Sequence, residues 1–206
     1  MPCCDASTPC RACSTREKPG IVRIIAGEHR GRRIAAPAGA ATRPTADRVR
    51  EAMFAIVGPV DGLHVIDLFS GSGALGLEAV SRGAASATLV ERAPRALACI
   101  RANVAALGVD GRVRVVGRDW LAALAAERRA GRAFGLCLCD PPYSLNDRVM
   151  AQFGAAFAPL LAAPGIVVIE HSAARPPPEP SGLEIVSRTD RTYGDTAVSV
   201  MRAVRP

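Results

Sequence analysis

Asp67-Leu68-Phe69-Ser70-Gly71-Ser72-Gly73-Ala74-Leu75-Gly76 decides how this chain folds. The stretch closes a β-prone run at 63–69, carries the pattern G-x-G-x-x-G, and leads into a helical periodicity. A glycine-rich turn between strand and helix is a ligand cradle. Glycine lets the backbone approach a bound group closely, and a helix N-terminus favours negative charge. Outward from it, β-prone runs at 87–91, 112–117, 134–139 and 166–170 alternate with helical segments. Between the first two of these runs Pro94 stands in the first turn of a helix, Leu97, Ile100, Val104 and Leu107 recur at helical spacing, and Gly108 ends it. Val149, Phe153, Phe157 and Leu160 repeat the same period further on. Pro176, Pro177, Pro178 and Pro180 break the alternation, and runs at 183–188 and 197–204 then predict an antiparallel pair turning at Tyr193-Gly194-Asp195. The expected class is α/β: a Rossmann-like, doubly wound, mostly parallel sheet of seven strands with an antiparallel C-terminal pair.

Ahead of this body, runs at 21–26 and 32–36 flank Gly27-Glu28-His29-Arg30-Gly31 and predict a basic hairpin. A helix capped by Thr45 is expected next, with Val49, Met53 and Ile56 on one face and Arg48 turned elsewhere. Three units are expected: a disordered cysteine-bearing tail at 1–20, which a misassigned start near Val22 would also explain, a basic hairpin and helix at 21–60, and the α/β domain at 61–206.

The net charge is +7, and residues 1–50 supply most of it with ten basic against four acidic side chains. A basic end on a nearly neutral body points to a polyanion held there. Without eighteen consecutive apolar residues or a signal-peptide pattern, a cytoplasmic location is expected, and no membrane partner. Seven cysteines, an odd number, point to reduced thiols. Cys99, Cys137 and Cys139 sit in apolar contexts as small core residues. Cys3, Cys4, Cys10 and Cys13 include one metal-like pair, Cys10-x-x-Cys13, and no metal site is assigned to them. Trp120 and Phe54 are assigned to packing. His29, His64 and His171 share no ligand spacing and are read as structural, although His29, in the basic hairpin, could touch phosphate.

A lone glycine loop is shared with nicotinamide enzymes, so the neighbouring acids matter. Asp67 precedes the first glycine and could receive the amino group of a methionine moiety, with Phe69 in the same loop as Gly71 and Gly73. Glu91 ends the next strand, where an acid takes ribose hydroxyls, and Asp119 follows the third, where it could meet an adenine amine or simply cap a helix. Three acids at three strand ends suit S-adenosylmethionine, which has a positive sulfonium and no phosphate. Asp140-Pro141-Pro142-Tyr143 then ends the fourth strand. The Asp140 carboxylate and Pro141 carbonyl can accept both hydrogens of a planar amine and aim its lone pair at a methyl group, while Tyr143 stacks on a flipped base. Cys139 as a covalent nucleophile is disfavoured by its inward position on a buried strand.

These residues resemble the RsmD family of small-subunit ribosomal RNA guanine-N2 methyltransferases across about residues 22–203. The resemblance is carried by Arg23-Ile24-Ile25-Ala26-Gly27, Gly31-Arg32-Arg33-Ile34, Thr42-Arg43-Pro44-Thr45, Arg48-Val49-Arg50-Glu51, the loop from Asp67, Asp140-Pro141-Pro142-Tyr143 and Arg191-Thr192-Tyr193-Gly194-Asp195-Thr196. It implies methylation of the N2 amine of guanine 966 in 16S ribosomal RNA, within the 30S subunit or an assembly intermediate, by a monomer using S-adenosylmethionine. Arg32, Arg33, Arg43 and Arg48 are then expected on RNA phosphates. Residues 1–20 precede the family's usual start, and Arg118-Asp119-Trp120 departs from its usual Gly-Asp-Ala.

Rival readings remain. A DNA adenine-N6 methyltransferase shares the tetrapeptide but normally carries a sizeable target-recognition segment. A glutamine methyltransferase typically has Asn at the position of Asp140. A nicotinamide oxidoreductase leaves Asp140–Tyr143 without a role, and a non-enzymatic RNA-binding assembly factor would keep only the fold.

Overall fold

The computed structural model describes residues 20–37, 44–142 and 146–206. The expected tail, with Cys3, Cys4, Cys10 and Cys13, and the expected site residues Arg43 and Tyr143 lie outside the described residues.

A hairpin, β1 (Gly20–Arg23) with β2 (Arg33–Ala36), precedes α1 (Pro44–Val57). The body then runs β3 (His64–Leu68), α2 (Ala74–Ser81), β4 (Ser86–Glu91), α3 (Pro94–Leu107), β5 (Val113–Gly117), α4 (Trp120–Arg129), β6 (Phe134–Cys139), α5 (Asn146–Phe157), β7 (Leu161–Ser172), β8 (Glu184–Tyr193) and β9 (Thr196–Val204). The strands form one seven-stranded sheet in the order β5-β4-β3-β6-β7-β9-β8, parallel from β5 through β7 and antiparallel where β9 joins. This is the Rossmann-like α/β fold read from the sequence. The chain winds outward from β3 in one direction and from β6 in the other, so the switch point falls between those two strands.

The two faces are sorted by a period of two. Leu136 and Leu138 of β6 enter one apolar cluster with Val65, Leu89 and Val168, covered by α1, α2 and α3. Cys137 and Cys139 enter the other with Ile66, Val90 and Ile169, covered by α4 and α5. Every residue of β6 is buried, as expected of a central strand between two helical layers. Phe153 and Phe157 stack at 5.5 Å between ring centres beneath α5.

The edges of elements differ from the sequence reading. Helix α1 starts at Pro44, so Thr45 lies within its first turn instead of capping it; proline suits a first helical position because its missing N–H has no partner there anyway. Strand β8 continues to Tyr193 because β9 pairs with it as far as Thr196. Cys99 is half-buried, not a core residue, and its thiol donates to the Ala35 carbonyl at 3.0 Å.

The hairpin is fastened to α2 and α3 by polar groups. Fully buried Glu78 accepts the N–H groups of Ile25 and Ala26 at 2.7 and 3.0 Å, Ser81 Oγ accepts that of His29 at 3.0 Å, and Asn103 Oδ1 accepts that of Ala35 at 2.8 Å. A β-carbon on Gly27 would lie 1.7 Å from the Ser81 carbonyl oxygen, so only glycine lets the hairpin seat this closely. Ile24, Ile34, Val49, Met53 and Phe54 continue the body's core into this segment.

Candidate active site

The site is built at the carboxyl ends of β3, β4, β6 and β7, on both sides of the switch point. Asp67 is the fourth residue of β3 and faces the α1–α3 layer. Its Oδ2 accepts the Gly76 N–H at 3.0 Å, which ties the strand to the first turn of α2. Its Oδ1 is buried without a hydrogen-bond partner. Loss of water, above all, and the neighbouring Asp140 and Glu91 charges push the Asp67 carboxyl up to about 7. A buried acceptor in that condition is a site waiting for a donor.

The loop after Asp67 turns on unusual backbone. Phe69 has φ 63°, a conformation rare for a bulky residue, and Gly71 and Gly73 have φ 57° and 80°. The turn is pinned by the Ser70 N–H to the Val90 carbonyl at 3.0 Å, Ser70 Oγ to the Asp67 carbonyl at 2.7 Å, and the Gly71 N–H to Glu91 Oε2 at 3.0 Å. A β-carbon on Gly76 would come within 2.2 Å of Leu89, so the third glycine serves close helix-to-strand packing.

Two clefts open from this loop. The first, about 390 Å³, runs over β4 and is lined by Phe69, Gly71, Glu91, Asp119, Trp120 and Pro142. The second, about 550 Å³, runs toward β7 and α1, with Arg50, Asp67, Ser70, Glu170 and Tyr193 in its wall. Phe69, Gly71 and Asp140 belong to both, so the clefts meet there. A larger hollow of about 720 Å³ lies at the opposite ends of the strands, beside His64, Ser86 and Arg114. Size does not locate the site, because ligands of doubly wound sheets bind beyond the carboxyl ends.

Asp140 follows β6 and holds the junction. Its backbone N–H approaches the Leu68 carbonyl at 3.4 Å, and its side chain is open to the cleft mouth. Protein encloses the carboxylate on its other sides, and this desolvation pushes it up to about 6. Pro141 is buried and Pro142 forms cleft wall. Cys139 is buried on the opposite face, and burial raises its thiol well above the ordinary range, so it is core.

The remaining expected residues separate. Glu91 Oε1 accepts the N–H groups of Arg92 and Ala93 at 2.7 and 2.8 Å, which fixes it at the lip of the first cleft. Asp119 caps α4 through the Leu121 N–H at 3.0 Å and is exposed, its second oxygen 4.0 Å from Arg92. Arg48 is exposed and lines a cleft of about 440 Å³ between hairpin and helix with Arg23 and Arg30. Arg33 is exposed on β2. Arg32 donates to the Ala106 carbonyl at 2.6 Å, at the C-terminal end of α3.

Three residues of the site escaped the sequence reading. Glu170 closes the β-prone run at 166–170, as Asp67, Glu91 and Asp140 stand at or beside the ends of theirs, and the same rule would have found it. Arg50, noticed in the helix but given no role, is 6% exposed and reaches the second cleft with Nη2 bonded to Asp47 and to the Arg23 carbonyl. Trp120 is buried as expected of a packing residue, yet with Phe69 (ring centres 6.1 Å apart) it also forms wall of the first cleft.

The model of the family described as conserved hypothetical protein 95 matches residues 22–202. The chain is 34% identical to Bacillus subtilis YlbH over 182 residues, 88% of this chain and 98% of that protein. The chain belongs to that family, the RsmD family. It is 42% identical to the ribosomal RNA small subunit methyltransferase D of Escherichia coli over 125 residues, 60% of this chain and 61% of that one. The solved structure of Escherichia coli yhhF superposes with a TM-score of 0.75 at 30% identity, covering 91% of this chain and all of the other. The RsmD-family match takes in both clefts, from Val22 on the hairpin to Thr196 on β9. Among the described residues, no helix is long and apolar enough to cross a membrane.

Proposed function

We propose that this RsmD-family chain transfers a methyl group from S-adenosylmethionine to the exocyclic N2 amine of guanine 966 in 16S ribosomal RNA, in the small subunit or its assembly intermediate. S-adenosylmethionine-dependent methylation of ribosomal RNA is what the family supports; the guanine and its position are the finer reading. The observation that carries the chemistry is the meeting of two clefts at Asp140, beside a partnerless buried oxygen on Asp67.

The residues present fit the cofactor. An ammonium is the donor that Asp67 Oδ1 lacks, Arg50 is the cation in the same cleft for a carboxylate, and Gly71 and Gly73 leave the backbone bare beside them. Glu91 keeps lone pairs for ribose hydroxyls, and Asp119 lines the first cleft with Phe69 and Trp120, where an adenine would sit. When bound, S-adenosylmethionine supplies an electrophilic methyl group on a positive sulfonium.

At the junction, the Asp140 carboxylate and Pro141 carbonyl accept the two N2 hydrogens. Drawing both hydrogens to one side localises the nitrogen lone pair and turns it toward the methyl. Methylation would leave the nitrogen cationic, and Asp140 is the group placed to take its surplus proton. Tyr143 supplies the stacking face. Arg23, Arg30, Arg32, Arg33 and Arg48 hold RNA phosphates on the hairpin side, and Arg43 is given the same role.

The test offers radiolabelled S-adenosylmethionine against 30S particles, bare 16S RNA and duplex DNA, followed by nucleoside analysis. Labelled N2-methylguanine from a ribosomal substrate is expected. N6-methyladenine, or label confined to DNA, overturns the reading.

A further inference from the structure

Glu170 belongs to the cleft, but the methyl-transfer chemistry above leaves it unused. Cys139 on β6 pairs with Ile169 on β7, so Asp140 and Glu170 are the next residues along two adjacent strands. Leu138 and Val168, two residues earlier on each strand, both point into the α1–α3 layer, which puts Asp140 and Glu170 on that same face. Neighbouring strands lie about 4.8 Å apart, so the two carboxyl groups stand side by side. Both line the second cleft, and no hydrogen bond to either is found among the described residues. Arg50 from α1, Asp67 from β3, and Tyr193 and Asp195 from the β8–β9 turn line it with them.

Two free acceptors at adjacent register read a donor–donor edge. Guanine presents such an edge, N1–H beside the N2 amine. Adenine presents its amine beside the N1 lone pair, and a carboxylate at that point repels it. An acceptor for the amine alone, as Asp140 provides, cannot tell the two apart. We infer that Glu170 accepts the N1–H of the target base and is the residue that selects guanine over an amine flanked by a bare ring nitrogen. This rests on the guanine-N2 reading above. A buried acceptor left facing a lone pair forfeits its hydrogen bond and its desolvation together, which makes this arrangement strongly selective. Burial and the Asp140 charge push the Glu170 carboxyl up to about 8; an N1–H donated to it favours the carboxylate, whereas the protonated acid can donate to a lone pair, so the discrimination is full only above that pH.

The experiment uses small subunits reconstituted with 16S RNA that carries guanine or 2-aminopurine at the position the wild-type protein methylates. 2-Aminopurine keeps the amine and has a lone pair at N1. At pH 9, where Glu170 is ionised, wild type is expected to prefer guanine by at least ~100-fold in kcat/KM. Glu170→Gln, whose amide can donate to a lone pair, is expected to lose ~10–100-fold on guanine and to lower the guanine-to-2-aminopurine ratio at least tenfold. Glu170→Asp keeps an acceptor and is expected to hold the ratio at reduced rate, which covers the case of a glutamine variant that does not fold. S-adenosylhomocysteine affinity, measured by calorimetry, stays within twofold in both variants. If wild type forms N2-methylguanine but prefers it over 2-aminopurine by less than tenfold, or if either variant alters both substrates so that Glu170→Gln keeps the ratio or Glu170→Asp loses it, the role of Glu170 is refuted and the function stands. If wild type forms no N2-methylguanine, the function itself falls, and this inference with it.

Discussion

Replacing Asp67 with Asn should make the ligand-free protein more stable and its cofactor binding weaker, a pairing of opposite signs that few substitutions produce. The Asp67 carboxyl is raised from 3.8 to about 7 in the folded state, chiefly by desolvation. A carboxyl raised on folding contributes stability that is complete below its unfolded pKa and is lost as pH climbs through the folded value. At about 1.4 kcal/mol per pH unit, the ionised side chain costs the ligand-free fold on the order of 4 kcal/mol above pH 7. Asn removes that cost and can still accept the Gly76 N–H, but it leaves a buried N–H₂ group where Oδ1 was, a penalty of ~1–3 kcal/mol. The net gain of about 1–3 kcal/mol at pH 8 raises Tm by roughly 2–12 °C for a chain of this size. At pH 5 Asp67 is already neutral, and the gain disappears. A charge-assisted hydrogen bond to an ammonium is worth ~1.5–3 kcal/mol, and without it S-adenosylhomocysteine binds ~10–100-fold more weakly at pH 8. Thermal unfolding at pH 5 and pH 8, with titration calorimetry at pH 8, measures both. An Asn variant that melts below wild type at pH 8 and binds with unchanged Kd would show that the partnerless oxygen is neither strained nor reserved for the cofactor.

With Asp140 raised to about 6, kcat/KM under saturating cofactor should fall about tenfold per pH unit as pH drops below 6, because the protonated carboxyl no longer accepts the amine hydrogens. Asp140→Asn should lie at least ~1,000-fold lower and lack that limb; a pH-rate profile in which both proteins share the limb assigns it to another group. Arg30→Ala with Arg48→Ala should weaken RNA binding and reduce the slope of log affinity against log salt by about 0.7 for each phosphate no longer neutralised, with S-adenosylhomocysteine affinity unchanged; an unaltered slope removes these arginines from the RNA surface. Glu78→Ala strands two hairpin N–H groups and the Arg82 guanidinium, 2.7 Å away, and should cost ~3–5 kcal/mol, read as a Tm loss of roughly 6–20 °C. Glu78→Gln keeps one of the two acceptor oxygens and should cost less, so equal losses in the two variants would show that accepting these N–H groups is not what holds the hairpin.

Much of the frame was legible because periodicity and punctuation agreed. The run at 134–139 reads as a central strand from its apolar continuity, and Gly108 ends α3 at φ 71° where the sequence put the stop. Asp67, Glu91 and Asp140 were legible as strand-end acids, whereas Glu170 was passed over and Asp119 has an ordinary reason for its place, the cap of α4. The start of α1 was not, because Pro44 and Thr45 are both good first-turn residues and only three-dimensional context chooses between them. The positive φ of Phe69 left no trace in the sequence; nothing local favours it, and the hydrogen bonds of Ser70 and Gly71 to β4 impose it. Arg32 illustrates the same gap. Its neighbour Arg33 looks identical in the sequence, and both are exposed, yet only Arg32 is hydrogen-bonded to the carbonyl end of α3 among the described residues.

The seating of the hairpin on Glu78 and Ser81 has a consequence for protein engineering. A segment whose backbone donors are satisfied by another helix cannot be transplanted as a cassette. Grafted onto a foreign methyltransferase, residues 20–37 would bring along the N–H groups of Ile25, Ala26 and His29 with nothing to accept them. The smallest portable unit therefore includes α2, and α2 begins at the glycine loop that shapes both clefts. To exchange the hairpin is to exchange the cradle with it.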